Sequence, residues 1–146
     1  MNFFKSINTS ATGLTAERLR MDIISKNIAN VNTTRTSSGT PYRRQVPIFQ
    51  EKEGETFTDI LNGAKNTASL GNGVEVTGIV EDESPFRKVY NPGHPEADEK
   101  GYVSMPNVDI VTEMINLISA SRAYEANVTA LNNSKNMAMK ALEIGG

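Results

Sequence analysis

Residues 107–144 read NVDIVTEMINLISASRAYEANVTALNNSKNMAMKALEI, and this stretch decides the fold. Positions spaced alternately by four and three residues form one row along it, which is the pattern of a heptad seam on an α-helix. Eight of the ten positions are apolar or aromatic, and the row consists of Ile110, Met114, Leu117, Ser121, Tyr124, Val128, Leu131, Lys135, Ala138 and Leu142. We therefore predict one long helix that packs lengthwise against another helix.

The ends of this helix carry ordinary start and stop signals. Asn107 follows Pro106 and is the predicted N-cap, while the carboxylate of Asp109 complements the positive end of the helix dipole. Gly145 and Gly146 supply the stop. The predicted helix therefore covers residues 107–144.

A second helix is predicted near the N-terminus, over residues 3–30. Its apolar row recurs every seven residues at Ile7, Leu14, Met21 and Ile28, and the residues beside that row are Phe4, Ala11, Ile24 and Val31. Gly13 lies in its interior, where glycine costs about 1 kcal/mol relative to alanine. The order of this helix should therefore come from contacts with other elements.

The region between the helices contains strand patterns and turn signals. Turns are predicted at residues 37–39, 71–73 and 91–93, of which 71–73 (GNG) suits a tight hairpin. Residues 54–70 are polar and were expected to form a loop. The predicted strands cover residues 42–49, 74–80 and 86–90.

These elements predict an α+β fold with long, paired, coiled-coil-like terminal helices and a small inserted β-rich lobe. The predicted parts are residues 1–34, 35–106 and 107–146. The C-terminal helix would be about 54 Å long and the N-terminal one about 40 Å, too long for the middle region to cover. Their apolar rows should therefore cover each other and neighbouring chains, although a self-contained helical bundle is the alternative.

Composition argues against catalysis and against several classes of ligand. The net charge of −2 gives no basic excess for nucleic acid, and the absence of cysteine excludes thiolate chemistry. His94 is the only histidine and lies in a turn-rich segment, while Glu81, Asp82 and Glu83 lack a calcium-loop spacing. We expect no enzyme activity, no metal and no cofactor.

The sequence also lacks the marks of a secreted or membrane-inserted chain. No N-terminal basic stretch is followed by an apolar run and a small-residue cleavage site. No stretch approaches the roughly 20 apolar residues that cross a bilayer. We therefore expect no membrane insertion and no cleaved signal peptide.

Motifs at both ends resemble those of a known family. Residues 25–33 (SKNIANVNT), followed by residues 41–43 (PYR), resemble the N-terminal motif of the flagellar rod and hook axial proteins. Residues 101–109 (GYVSMPNVD), then Glu113, Met114 and residues 119–127 (SASRAYEAN), resemble the C-terminal motif of the FlgC type of that family. Residues 90–95 (YNPGHP) with Ala97 and Asp98 are similar to the segment that precedes it.

The resemblance implies a structural subunit of the proximal rod of the flagellar basal body, a tubular drive shaft that transmits torque. Its implied partners are copies of itself, other rod proteins and, in transit, the type III export apparatus. The implied location is the periplasmic rod. The short middle region favours this reading over a hook or distal rod component, and a small helical binding module is a further alternative.

The predicted subunit interface lies on the two terminal helices. Arg122 can pair with Glu125 on its own helix or bridge subunits, and Tyr124 suits either a half-buried core ring or an interface anchor. The predicted interface residues are Ile7, Leu14, Met21, Ile24, Asn27, Ile28, Asn30, Ile110, Met114, Leu117, Ser121, Arg122, Tyr124, Val128, Leu131 and Leu142.

Overall fold

The computed structural model describes residues 3–52 and 73–145. Helix α1 spans Phe3–Ala29 and helix α2 spans Ile110–Gly145. Between them the described residues form four strands in chain order: β1 (Gln45–Glu51), β2 (Val74–Glu81), β3 (Arg87–Tyr90) and β4 (Tyr102–Met105). This is the α+β composition that the sequence predicts.

The two helices lie side by side and run antiparallel. The side chain of Asn27 on α1 reaches Glu113 on α2, whereas Gly13 lies against the side chain of Asn127. The two contact positions on α1, 27 and 13, are 14 residues apart, and so are their partners on α2, 113 and 127. The positions run in opposite order along the two helices, which is why the helices are antiparallel. A Cβ atom at Gly13 would lie 3.0 Å from Nδ2 of Asn127, so the glycine permits this close approach. Glycine weakens a helix, but at position 13 it allows α1 and α2 to pack closely.

The row of α2 that faces α1 differs from the predicted one. The buried side chains of α2 within the described chain are Glu113, Ala120 and Ser134, which recur every seven residues with Asn127. Leu117, Tyr124 and Leu131 of the predicted row are half-buried beside this row, whereas Ile110, Met114 and Leu142 are exposed. The seam is therefore lined by small or polar residues, and at Gly13 the two helices come close enough for the side chain of Asn127 to lie against the glycine.

The strands form two separate antiparallel ribbons. Strand β1 pairs with β2 from Gln45 opposite Glu81 to Glu51 opposite Val74, with an irregularity between Ile48 and Phe49. Strand β3 pairs with β4 from Arg87 opposite Met105 to Tyr90 opposite Tyr102. Three strands match the predictions within a few residues, and β4 falls where only a sequence motif had been noted. The predicted loop at 54–70 and residues 71 and 72 of the predicted turn lie outside the described residues.

The start of α2 corrects the predicted cap. Asp109, rather than Asn107, is the N-cap, because its Oδ1 accepts a hydrogen bond of 2.7 Å from the backbone N–H of Thr112. This bond lowers the pKa of Asp109 below its ordinary value. Asn107 instead ties the chain ahead of α2 to other segments: its Oδ1 accepts from the backbone N–H of Arg44, and its Nδ2 donates to the carbonyl oxygen of Asp82.

Strand β2 begins in direct contact with α1. The backbone N–H of Val74 donates to Oγ1 of Thr12 at 3.2 Å, and Gly73 has a φ of 106°. A Cβ atom at Gly73 would lie only 2.1 Å from the same Oγ1. This contact holds the β1–β2 ribbon against α1.

Replacing Gly73 with alanine is therefore expected to destabilise the fold by about 1–3 kcal/mol, through the positive φ and the clash with Thr12. Gly78→Ala is the matched control, since a Cβ atom there meets nothing within 4 Å. Urea-induced unfolding of both variants measures the effect. Equal stability of the two variants would contradict the packing described for Gly73.

Candidate functional site

A buried cluster of polar side chains joins the two helices to the strands. We call it the polar junction and define it as Asn27, Tyr42, Arg44, Asn107 and Glu113. Glu113 is 0% exposed and Asn27 is 1% exposed. Buried groups of this kind require partners, because an unpaired polar group away from water is costly. The partners come from three parts of the chain: α1, the segment leading into β1, and the region around the start of α2.

Asn27 uses the full hydrogen-bonding capacity of its amide. Its Nδ2 donates to Oε2 of Glu113 and to the carbonyl oxygen of Gln45, both at 2.9 Å. Its Oδ1 accepts from the hydroxyl of Tyr42 and from the backbone N–H of Gln45, also at 2.9 Å. One side chain of α1 thus fixes α2 and the segment leading into β1.

Glu113 also forms an ion pair with Arg44. The Nε of Arg44 donates to Oε1 of Glu113 at 2.8 Å, and Nη1 of the same guanidinium lies 3.5 Å from Oδ2 of Asp82. Burial raises the pKa of Tyr42, and the negative charges of Glu113 and Glu81 add to the effect. The charge of Glu113 is thus compensated inside the fold.

The segment between β2 and β3 is held close to the polar junction. Arg43 donates from Nη1 to the carbonyl oxygen of Asp82 at 3.1 Å, and its guanidinium lies 4.4 Å from the centre of the Phe86 ring. The Ser84 hydroxyl and backbone N–H bond to the Asp82 carboxylate and lower its pKa. The junction therefore connects α1, α2 and both ribbons.

Outside the junction, α2 carries a concentrated group of exposed apolar side chains. We call it the outer patch and define it as Ile110, Val111, Met114, Ile115 and Ile118. These five residues fall within nine positions and are each 45% to 67% exposed. Successive helical residues turn by about 100°, which places Val111 and Ile118 on the side opposite Glu113 and Ala120. Exposed apolar groups concentrated in this way are typical of interaction surfaces.

The predicted interface residues fall into three classes of exposure. Two are buried within the chain: Ile24 and Asn27. Ten are half-buried: Ile7, Leu14, Met21, Ile28, Asn30, Leu117, Ser121, Tyr124, Val128 and Leu131. Four are exposed: Ile110, Met114, Arg122 and Leu142.

Sequence reasoning missed some residues of the outer patch and of the polar junction. Val111, Ile115 and Ile118 were not predicted, although their spacing of four and three is a second apolar row beside the first. Arg44 and Asn107 give no such signal, because their partners lie far away in the chain. For example, Arg44 and Glu113 are 69 residues apart.

The described part of the chain also contains a cavity and the histidine His94. A cavity of about 550 Å³ lies between α1, α2 and the β1–β2 ribbon, and Glu17, Glu51 and Asn127 are among its lining residues. His94 accepts a hydrogen bond at Nδ1 from the backbone N–H of Glu96, within a turn. Among residues 3–52 and 73–145, no three His, Cys, Asp or Glu side chains converge as metal ligands. Neither described helix has an apolar stretch able to span a membrane.

Two family models match the ends of the chain. The family described as "Flagella basal body rod protein" matches residues 7–35. The family described as "Flagellar basal body rod FlgEFG protein C-terminal" matches residues 99–144. The first match includes Asn27 of the polar junction, and the second includes Glu113 and the outer patch.

Full-length relatives are also similar. The chain is 51% identical to the flagellar basal-body rod protein FlgC of Bacillus subtilis, over 99% of both chains. It is 49% identical to FlgC of Borreliella burgdorferi, over 99% of this chain and 98% of the relative. The corresponding protein of Salmonella typhimurium is 37% identical over 99% of both chains.

Proposed function

The chain belongs to the FlgC-type flagellar basal-body rod proteins and is a structural subunit of that rod, and from this premise we propose that it assembles through the exposed apolar surface of its terminal helices. The family resemblance predicted from the motifs is thus confirmed. The observation that carries the proposal is the outer patch, where five large apolar side chains meet solvent. Burying them against another subunit would remove that surface from water, at roughly 25 cal/mol per Å².

The predicted apolar row of α1 supports a second contact face. Ile7, Leu14, Met21 and Ile28 are half-buried, and the close contact of α1 with α2 uses Gly13 and Asn27 instead. Each residue of α1 turns the helix by about 100°, and Leu14 and Ile28 directly follow Gly13 and Asn27. The apolar row therefore lies roughly a quarter turn away from the side of α1 that contacts α2. It therefore remains partly available to a neighbouring subunit.

The proposed partners are copies of this chain and other rod proteins, with the export apparatus as a transient partner. We propose the proximal, periplasmic part of the rod as its location, export without a cleaved signal peptide, and no role in catalysis or nucleic-acid binding. In this proposal the paired helices act in a coiled-coil-like manner and the strands between them form a small inserted lobe. The predicted parts, residues 1–34, 35–106 and 107–146, follow the same division.

Ile118→Asp tests the proposed surface. A charge at this 55% exposed position should leave the isolated chain folded, because it replaces a solvent-facing side chain. It should prevent rod assembly, since burying an unpaired carboxylate in an interface is costly. The measurement is swimming and basal-body structure in cells whose own copy is replaced by the variant.

Asn132→Asp is the matched control, because it adds the same charge at an exposed position further along α2. Cells with this control should swim normally. Normal rods in cells that carry only Ile118→Asp would show that the outer patch is not a subunit contact.

A further inference from the structure

The outer patch contains one methionine, and this residue is exposed to solvent. Met114 is 53% exposed, with Ile110 four residues before it and Ile118 four residues after it. The sequence has no cysteine, so methionine thioethers are its only sulfur groups. We propose that Met114 is a site of reversible oxidation and that its oxidation prevents burial of the outer patch.

The reaction needs only a peroxide as oxidant. The thioether sulfur attacks one oxygen of hydrogen peroxide, the O–O bond breaks and an S–O bond forms. The departing hydroxide and the proton released from the transferred oxygen together give water. The sulfur loses two electrons to the peroxide, and the product is methionine sulfoxide. Sulfoxide reductases return this product to methionine, so the change is reversible.

Exposure and position together distinguish Met114 from the other methionines of the described residues. Met137 and Met139 are also exposed, at 65% and 49%, but they lie near the far end of α2. Met21 and Met105 are half-buried in the described structure. Met114, Met137 and Met139 should therefore oxidise faster than Met21 and Met105. Of these fast sites, only Met114 belongs to the outer patch.

The consequence follows from the chemistry of the patch. Its five side chains contain no hydrogen-bond donor, so a sulfoxide oxygen buried with them would have no partner within the patch. Burying such a group without a partner is costly. This consequence rests on the proposed function, whereas the oxidation itself depends only on the exposure of the sulfur.

The test uses the purified full chain with and without hydrogen peroxide. Peptide mass mapping follows the rate of oxygen addition at each methionine. Sedimentation over a range of concentrations measures self-association of wild type, of Met114→Leu, and of a Met137→Leu, Met139→Leu control. Leucine keeps the size and apolarity of methionine but cannot be oxidised.

Peroxide should weaken the association of wild type and of the double control by about tenfold or more. It should leave Met114→Leu unchanged, and sulfoxide reductase should restore the wild type. Oxidation of Met114 no faster than that of Met105 would overturn the proposal. So would wild-type association that is absent or insensitive to full oxidation of Met114, or equal sensitivity in Met114→Leu.

The same measurements separate this proposal from the proposed function. Untreated Ile118→Asp reports on the patch as a contact surface, without any oxidation. If that variant associates like wild type, the outer patch is not a contact surface. The relative oxidation rates of the methionines are tested separately by the mass mapping.

Discussion

Glu113→Ala is expected to destabilise the folded chain by about 3–5 kcal/mol, because removing one partner of a buried ion pair leaves the other partner uncompensated. The guanidinium of Arg44 would keep only its 3.5 Å contact with Asp82 as an ion pair. The Nδ2 of Asn27 would lose one of its two acceptors. Such a loss is a large part of the roughly 5–15 kcal/mol that stabilises a typical domain. Urea-induced unfolding followed by circular dichroism measures it.

Two further substitutions make this result interpretable. Glu143→Ala removes an exposed carboxylate that pairs with Lys140, and it should change the stability by less than about 0.5 kcal/mol. Glu113→Gln keeps the side-chain size and one acceptor oxygen, so its loss should be smaller than that of alanine. It also allows a measurement if the alanine variant does not fold. A loss at Glu113→Ala no greater than that at Glu143→Ala would contradict the structural role of the junction.

Asn27→Asp is expected to destabilise the fold by about 3 kcal/mol or more at neutral pH. The substitution barely changes the shape, but it replaces two N–H donors with an anionic oxygen. That oxygen would face Oε2 of Glu113 and the carbonyl oxygen of Gln45, each 2.9 Å from the present nitrogen. Both contacts change from attractive to repulsive, inside a region from which water is excluded.

Acidification should restore part of this stability, because protonating one of the two facing carboxyl groups removes the repulsion between them. Chemical unfolding of the variant at neutral and mildly acidic pH measures the recovery. Asn8→Asp is the control, since Asn8 is an exposed residue of the same helix. If the two variants lose the same stability at neutral pH, the amide of Asn27 does not hold the helices together.

The elements were largely predictable because they depend on local patterns. The predicted helices cover residues 3–30 and 107–144, and the observed helices are Phe3–Ala29 and Ile110–Gly145. The start of α2 was misplaced by three residues, because both Asn107 and Asp109 suit an N-cap. The longer-range hydrogen bonds of Asn107 explain why Asp109 has that role. Strand β4 was not predicted, although it is as long as β3, which was predicted.

The candidate site was predicted only in part, since Asn27 of the polar junction and Ile110 and Met114 of the outer patch are among the predicted interface residues. The spacing of Ile110 and Met114 places them on a helix surface, and the structure leaves them exposed. The burial of Glu113 could not be predicted, since a glutamate is rarely buried unless it is paired. Its partners Asn27 and Arg44 are 86 and 69 residues away, and no local pattern reports such distances.

The sequence by itself determined two long helices, short strands between them and membership of the rod family, because periodicity and contiguous motifs are properties of neighbouring residues. Only the tertiary structure decided which side of each helix faces inwards. Close approach at Gly13 and the buried pairing of Asn27 with Glu113 turn a small and polar row of α2 towards α1. The apolar side chains of the outer patch are left in solvent, because the turn of about 100° per residue places them away from that row on the surface of α2.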